Sequence, residues 1–128
     1  MNIIKLKTVT VASLFCFTLL GNNFIASAGE ADVLQVKAKC NKEAVCKFTV
    51  RVRHKDKGWQ HYVNRWEILS LDGEVLATRV LAHPHVKEQP FSRSLKASIP
   101  EEHKVVIVRA HDSVHGYGGE EIKVILRE

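Results

Sequence analysis

Polar and apolar positions alternate along most of the chain beyond residue 28, which is the pattern of β-strands with one buried face. In the clearest stretch, Phe48, Val50 and Val52 would point to one side, with Lys47 and Thr49 on the other. No helix-length window carries an apolar stripe free of Gly and Pro. The pattern predicts almost no helix and seven strands, at 33–39, 46–54, 61–70, 74–81, 91–95, 104–110 and 120–126.

Seven short strands of this kind predict an all-β fold, an antiparallel sandwich of the immunoglobulin-like or fibronectin-like type. Turn signals recur about every 8–12 residues, as they do in such sandwiches, and Asp72-Gly73 is the strongest hairpin signal. Trp66 lies in the third strand, where these folds often bury a core tryptophan. A small Greek-key barrel is the alternative architecture.

Residues 1–28 have the organisation of a cleaved secretory signal. Lys5 and Lys7 form a short positive region, 9–20 is mostly apolar, and 26–28 supplies the small residues that a signal peptidase needs. An uncleaved membrane anchor is the weaker alternative, because the apolar run is shorter than the roughly 20 residues that span a bilayer. We therefore expect a signal peptide at 1–28 and one domain at 29–128.

The segment 1–28 also predicts the compartment and whether the mature protein carries a lipid anchor. Phe15 precedes Cys16, where a lipoprotein signal has a small residue, so we expect no lipid anchor. Removal of the signal would leave a periplasmic or secreted protein with no membrane contact. An unknown protein or small ligand is the partner expected for such a domain.

The charge balance of the remaining chain argues against nucleic acid as a partner. Without Lys5 and Lys7, 17 Lys and Arg stand against 14 Asp and Glu, which leaves a net charge of +3. Both signs are interspersed, and the linear sequence has no block of basic residues and no interleaved aromatic platform. Such a balance is typical of an ordinary solvated surface.

Cys40 and Cys46 are the two cysteines that remain after the signal. An even pair in an exported chain predicts a disulfide, which would close a short turn between the first two strands. A thiolate metal or redox pair is the alternative. It is disfavoured because the spacing is not C-x-x-C and no histidine flanks either residue.

Strand parity gathers most of the histidines at one end of the sandwich. In an antiparallel sandwich alternate connections share an end, and those after strands two, four and six hold the stretches 54–61, 82–90 and 111–119. Six of the seven histidines lie in these stretches, and His103 belongs to the opposite end. Imidazole is the commonest metal ligand in proteins, so the cluster favours a site at this end.

His83-Pro84-His85 is the sharpest local motif, since residues i and i+2 of an extended segment point to the same side. Several imidazoles with a carboxylate suit Zn(II), Cu(II) or Ni(II), and copper or zinc is the cofactor expected if one binds. Solvated loop histidines are the alternative. The proposed ligands are His83, His85 and His115, followed by His61, His111 and Asp112, with Glu88 as a further oxygen donor.

Aromatic and arginine side chains in the same connections offer a metal-free alternative. Trp59, Tyr117, Arg93 and Arg109 have the chemistry of a surface that binds a protein, a peptide or a glycan. Enzymatic activity has little support. Ser113 lies near histidines, but the sequence shows neither an oriented base nor an oxyanion hole.

Three segments carry a family resemblance: GWQHYVNRWEIL, LAHPHVKEQPFSRSL and VRAHDSVHGYGG, which together cover 58–119. They resemble a group of small exported bacterial proteins of uncharacterised function. The resemblance implies export and a small β-sandwich, and it implies no activity, ligand or site residue.

Overall fold

The structure, a computed structural model, describes residues 29–128. The predicted signal peptide at 1–28 and the expected absence of a lipid anchor concern residues outside this part. Within it the chain is all β, and no helix is present that is long and apolar enough to cross a membrane. The seven strands are β1 (Asp32–Cys40), β2 (Val45–Arg53), β3 (Val63–Leu69), β4 (Val75–Val80), β5 (Phe91–Ser98), β6 (Val105–Asp112) and β7 (Ile122–Ile125).

The strands form two sheets in which every neighbouring pair is antiparallel. One sheet has the order β1-β2-β5 and the other β4-β3-β6-β7. Two separate sheets make a sandwich and not a closed barrel, so the predicted all-β fold class is confirmed. Each predicted strand corresponds to an observed one, although β5 continues to Ser98 and β7 is shorter than expected.

The inward faces of the two sheets form one core. Phe48, Val50 and Val52 of β2 are fully buried and pack with Trp66 and Ile68 of β3. Trp66 has no exposed surface, as the sequence predicts. Every second side chain of β2 therefore lies in the core. Burial of these apolar side chains stabilises the fold.

Cys40 and Cys46 are directly opposed residues of the β1–β2 pair and form a disulfide. The predicted pairing closes the turn in which Ala44 has a positive φ of 64°. The Arg127 guanidinium lies 3.4 Å from Cys40 Sγ and 3.3 Å from Cys46 Sγ. This contact ties the end of the chain to the first hairpin.

The connections after β2, β4 and β6 meet at one end, as the strand parity predicts. The backbone N–H of His85 donates to Asp56 Oδ2 at 2.7 Å, which joins the first two connections. The rings of His61 and His115 are 4.9 Å apart, which brings in the third. His103 lies at the other end, where it lines a depression with Asp72 of the β3–β4 turn.

Candidate metal site

Asp112 is the centre of the histidine-rich end. It is the last residue of β6 and has the same inward parity as Val108 and Ala110, so its carboxylate is fully buried. The backbone N–H groups of Val114 and His115 both donate to Asp112 Oδ1 at 2.7 Å. Burial opposes ionisation, yet these donors hold the pKa of Asp112 below its usual value. The end of β6 therefore presents a buried, ionised carboxylate.

Three imidazole nitrogens surround this carboxylate. His54 Nε2 is 3.3 Å from Asp112 Oδ2, His61 Nε2 is 3.3 Å from Oδ1, and His115 Nδ1 is 3.2 Å from Oδ2. Ligand atoms of His54, His61 and Asp112 all lie within 4.8 Å of one another. A tetrahedral ion with bonds of about 2.0–2.1 Å places its donor atoms roughly 3.3 Å apart, which is the separation of Asp112 from the His54 and His61 nitrogens and less than the 4.8 Å bound on the whole group.

Asp56 fixes the orientation of the His54 ring by contacting Nδ1, the nitrogen that does not face Asp112. His54 Nδ1 is 2.5 Å from Asp56 Oδ1, and both side chains are almost completely buried. Asp56 also accepts the backbone N–H groups of Val63 at 3.2 Å and His85 at 2.7 Å. His54 Nε2 lies 2.9 Å from the carbonyl oxygen of Gly29 and 3.3 Å from Asp112 Oδ2, so an ion bound at this nitrogen would replace its hydrogen bond to Gly29. Carboxylate–histidine pairs of this kind orient the ligands of metal sites.

His61 supplies a nitrogen that the protein leaves without a hydrogen bond. Its side chain is 17% exposed and its Nε2 is buried, with no hydrogen-bond partner among the described residues. The 3.3 Å approach to Asp112 is close but is not aligned as a hydrogen bond. Burying a polar atom without a partner costs free energy, and a bound ion would remove that cost.

The site opens to solvent beside His115, whose side chain is 37% exposed. A pocket of about 300 Å³ is lined there by Gly29, Lys55, Lys57, His61 and His115. Gly29 has a φ of 107°, and a Cβ at this position would lie 2.6 Å from the His115 ring. The close approach of the Gly29 backbone therefore covers part of the site and leaves the lysine side open.

His83 and His85 do not belong to this group. Their rings are 4.7 Å apart, and the His85 ring stacks on Phe91 at 4.0 Å. Burial, followed by the nearby Arg93, lowers the pKa of His85. The structure thus does not bring His83, His85 and His115 together around one ion. The His85 ring packs on the core through Phe91. Only its backbone N–H contacts a residue of the site, as a donor to Asp56.

His111 faces away from the other predicted ligands. It precedes Asp112 on β6, so alternation turns its ring to the outer face of the four-stranded sheet. Its Nδ1 is 2.7 Å from Asn64 Oδ1, and its ring contacts Tyr117 edge to face at 4.8 Å. Burial and the charge of Arg65 lower its pKa. It is therefore placed outside the Asp112 cluster.

Arg109 and Tyr117 are held in an internal network on that outer face. Both donate to Glu67 at 2.9 Å, and the Arg109 guanidinium stacks 3.6 Å from the centre of the Tyr117 ring. Burial disfavours the Glu67 carboxylate, but donors from Arg65, Arg109 and Tyr117 bring its pKa below the usual value. This network fixes the β6–β7 connection that carries His115.

The remaining predicted ligand-binding residues lie apart from each other. Trp59 is 65% exposed and contacts Tyr62 edge to face at 5.5 Å. Arg93 pairs with Glu88 at 3.1 Å. Glu88 is thereby engaged in an ion pair and does not reach the Asp112 cluster. Of the aromatic and arginine set, Trp59 is the side chain that the structure presents to solvent.

The fold and the site together define a small disulfide-bonded β-sandwich with a buried histidine–aspartate cluster at its loop end. A protein of Halomicrobium mukohataei named "Putative lipoprotein" is 37% identical over 95 residues, which are 74% of this chain and 47% of that protein. The chain thus spans about half the length of this relative. No family model matches the chain, and no solved structure matches it.

Proposed function

We propose that this is an exported binding protein that holds one divalent transition metal ion, copper or zinc, at its loop end. His54, His61 and Asp112 are the ligands, and His115 is next to them as a fourth. The observation that carries the proposal is that three buried or half-buried donor atoms lie within 4.8 Å of one another. One of them, His61 Nε2, has no hydrogen-bond partner in residues 29–128.

The donor set favours these metals on chemical grounds. Imidazole nitrogens with one carboxylate suit Zn(II) and Cu(II), whereas sites for Mg²⁺ and Ca²⁺ are built from oxygen atoms. The sulfur atoms of Cys40 and Cys46 are engaged in the disulfide at the opposite end. The pocket beside Lys55 and Lys57 gives water and small ligands access to this end of the protein.

Two observations support export. The Halomicrobium mukohataei relative is named as a lipoprotein, a class of protein that is carried across a membrane. A disulfide between Cys40 and Cys46 is stable in an oxidising compartment. Both agree with the signal predicted at 1–28.

Calorimetric titration of the purified protein with Zn(II) and Cu(II) tests the metal proposal. We expect one ion per chain and at least a hundredfold loss of affinity in His61→Ala, because the variant lacks one of the ligand nitrogens. His61 is partly exposed, so its replacement should leave the protein folded. His103→Ala is the matched control, since that imidazole lies at the other end of the sandwich. Wild-type binding weaker than about 10 μM, or equal affinity in both variants, would exclude the site.

A second candidate is a metal-free module that binds a protein, a peptide or a glycan through the same end. One observation favours it: each of the three connections presents one exposed apolar side chain, Trp59, Val86 and Val114, at 65%, 53% and 57% exposure. Exposed side chains on the connections at one end of a sandwich are available to a partner. A domain that binds no metal but loses its partner in Trp59→Ala would favour this function.

A further inference from the structure

The outer face of the β1-β2-β5 sheet is strongly basic. Alternation along each strand points every second residue outward, and the outward positions of the three strands carry long cationic side chains. We call this surface the basic face. Its exposed cations are Lys37, Lys39, Lys47, Arg51, Arg53 and Lys96.

Three of these lysines form a row across the sheet. Lys39 is the register partner of Lys47, and Lys47 is the partner of Lys96. Like charges directly opposite one another destabilise a sheet. Of the six cations, Arg53 alone has an ion pair within the described chain, with Asp32 at 3.4 Å. The basic face is therefore an uncompensated charge array, which favours an external anion.

Two depressions make this face suitable for discrete anionic groups. One of about 320 Å³ is lined in part by Lys39, Lys47 and Lys96. The other, of about 180 Å³, is lined in part by Lys37, Lys39 and Lys47. Each depression is lined in part by three lysines, with Lys39 and Lys47 common to both, and a positive charge of this density attracts phosphate-sized anions.

In place of the sequence-based expectation of no membrane contact, we propose that the basic face docks on a membrane surface that contains anionic phospholipids, with headgroup phosphates in the two lysine-lined depressions. The cations are spread over three strands, an area of roughly 20 by 10 Å from strand geometry. A planar array of this kind matches a charged bilayer surface better than a single polyanionic chain. Polybasic surfaces near an anionic leaflet are attracted by its surface potential.

The composition of the face argues for electrostatic adsorption without insertion. The residues between the cations are small and polar, among them Thr49, Ser92 and Ser94, and no aromatic side chain is present on this face. Proteins that bind single-stranded nucleic acid stack bases on aromatic rings, which this surface does not provide. The attraction should therefore weaken as salt screens it.

Docking through this face would leave the histidine-rich end free. The basic face runs along the side of the sandwich, whereas the metal site lies at the ends of β2 and β6. Lipid binding and metal binding are then separate properties of the chain. Either can fail without the other, and the test below distinguishes them.

Co-sedimentation with vesicles tests the proposal. We expect the purified protein to bind phosphatidylcholine vesicles that contain phosphatidylglycerol, to ignore pure phosphatidylcholine, and to be released by salt. Replacing Lys39, Lys47 and Lys96 together with Gln should weaken binding about a hundredfold, because each cation near an anionic surface contributes about 1 kcal/mol and 1.4 kcal/mol is tenfold. This triple variant should still bind zinc or copper as the wild type does.

The control is a matched triple variant with Gln at Lys87, Lys104 and Lys123, which changes the net charge equally but lies off the basic face. Binding that falls equally in both triple variants would reduce the effect to net charge and overturn the proposal. Absence of vesicle binding would overturn it too. Binding to a soluble polyanion such as heparin, without vesicle binding, would replace the lipid surface with a polymer as the partner.

Discussion

At the scale of single residues, Asp56 decides which nitrogen of His54 faces the metal position. Its Oδ1 accepts a hydrogen bond from His54 Nδ1, and its two oxygens also accept hydrogen bonds from the backbone N–H groups of Val63 and His85. The carboxylate therefore fixes both the ring of His54 and the connections on either side of it. In the proposed metal site Asp56 would contribute to binding without touching the ion.

Asp56→Asn should lower the affinity for zinc about 10–100-fold, because a neutral amide is a weaker acceptor for the Nδ1 proton and makes the His54 ring a poorer ligand. Calorimetric titration measures the change, and circular dichroism confirms that the variant is folded. His83→Ala is the control, since His83 is exposed and outside the cluster. A folded Asp56→Asn protein with wild-type affinity would contradict this role.

At the scale of the strands, the lysine row sets like charges directly opposite one another, which should reduce stability. Lys47 lies between Lys39 and Lys96 on the central strand of its sheet. Its exposed side chain contributes no ion pair in the described part of the chain. Removal of the central charge should relieve two repulsive cross-strand contacts at once.

Lys47→Thr is therefore expected to raise the free energy of unfolding by about 0.2–1 kcal/mol, since a β-branched residue also suits the central strand. Urea denaturation at low and high salt measures it, and the gain should shrink at high salt. Lys104→Thr, which lies before β6, is the control. A loss of stability in Lys47→Thr would show that the lysine row is not repulsive.

The alternation of the sequence was sufficient to predict the strands, the core and the end at which the histidines meet. The same alternation carries a signal for the site: His54 continues the inward series of Val50 and Val52, and Asp112 continues that of Val108 and Ala110. His54 and Asp56 are nevertheless not among the predicted ligands, because the H-x-H spacing favours His83 and His85 as a pair.

Other features depend on information that the sequence pattern does not contain. The basic face needs the cross-strand register, which places Lys39, Lys47 and Lys96 in one row although they are far apart in sequence. The burial of the His85 ring depends on its stacking with Phe91, a contact between a loop and a strand. Neither follows from the spacing of residues along the chain.

At the scale of the whole molecule, acid should destabilise the metal-free protein in two steps. Burial lowers the pKa of His85, so the unfolded chain takes up this proton first as the pH falls below about 6.5. The pKa of Glu67 is also lowered in the folded state, despite burial, by its three donors. The contribution of Glu67 to stability is present above about pH 4.5 and is lost as the pH falls through the pKa of the folded state.

Urea midpoints measured with a chelator from pH 8 to pH 3 test this, because both groups bind more protons when the chain is unfolded. We expect stability to decline below about pH 6.5 and again below about 4.5. His85→Gln should reduce the first decline, to which the lowered pKa of His111 also contributes, and Glu67→Gln should reduce the second. A wild-type midpoint that stays constant between pH 8 and pH 5 would contradict the first step.

The metal site is the central claim, and a crystal of the zinc-soaked protein tests it most directly. Anomalous difference maps recorded on either side of the zinc absorption edge locate the ion independently of its affinity. We expect one peak about 2.0–2.2 Å from His54 Nε2, His61 Nε2 and an Asp112 oxygen. A map with no peak at Asp112, or with its strongest peak between His83 and His85, would contradict the account.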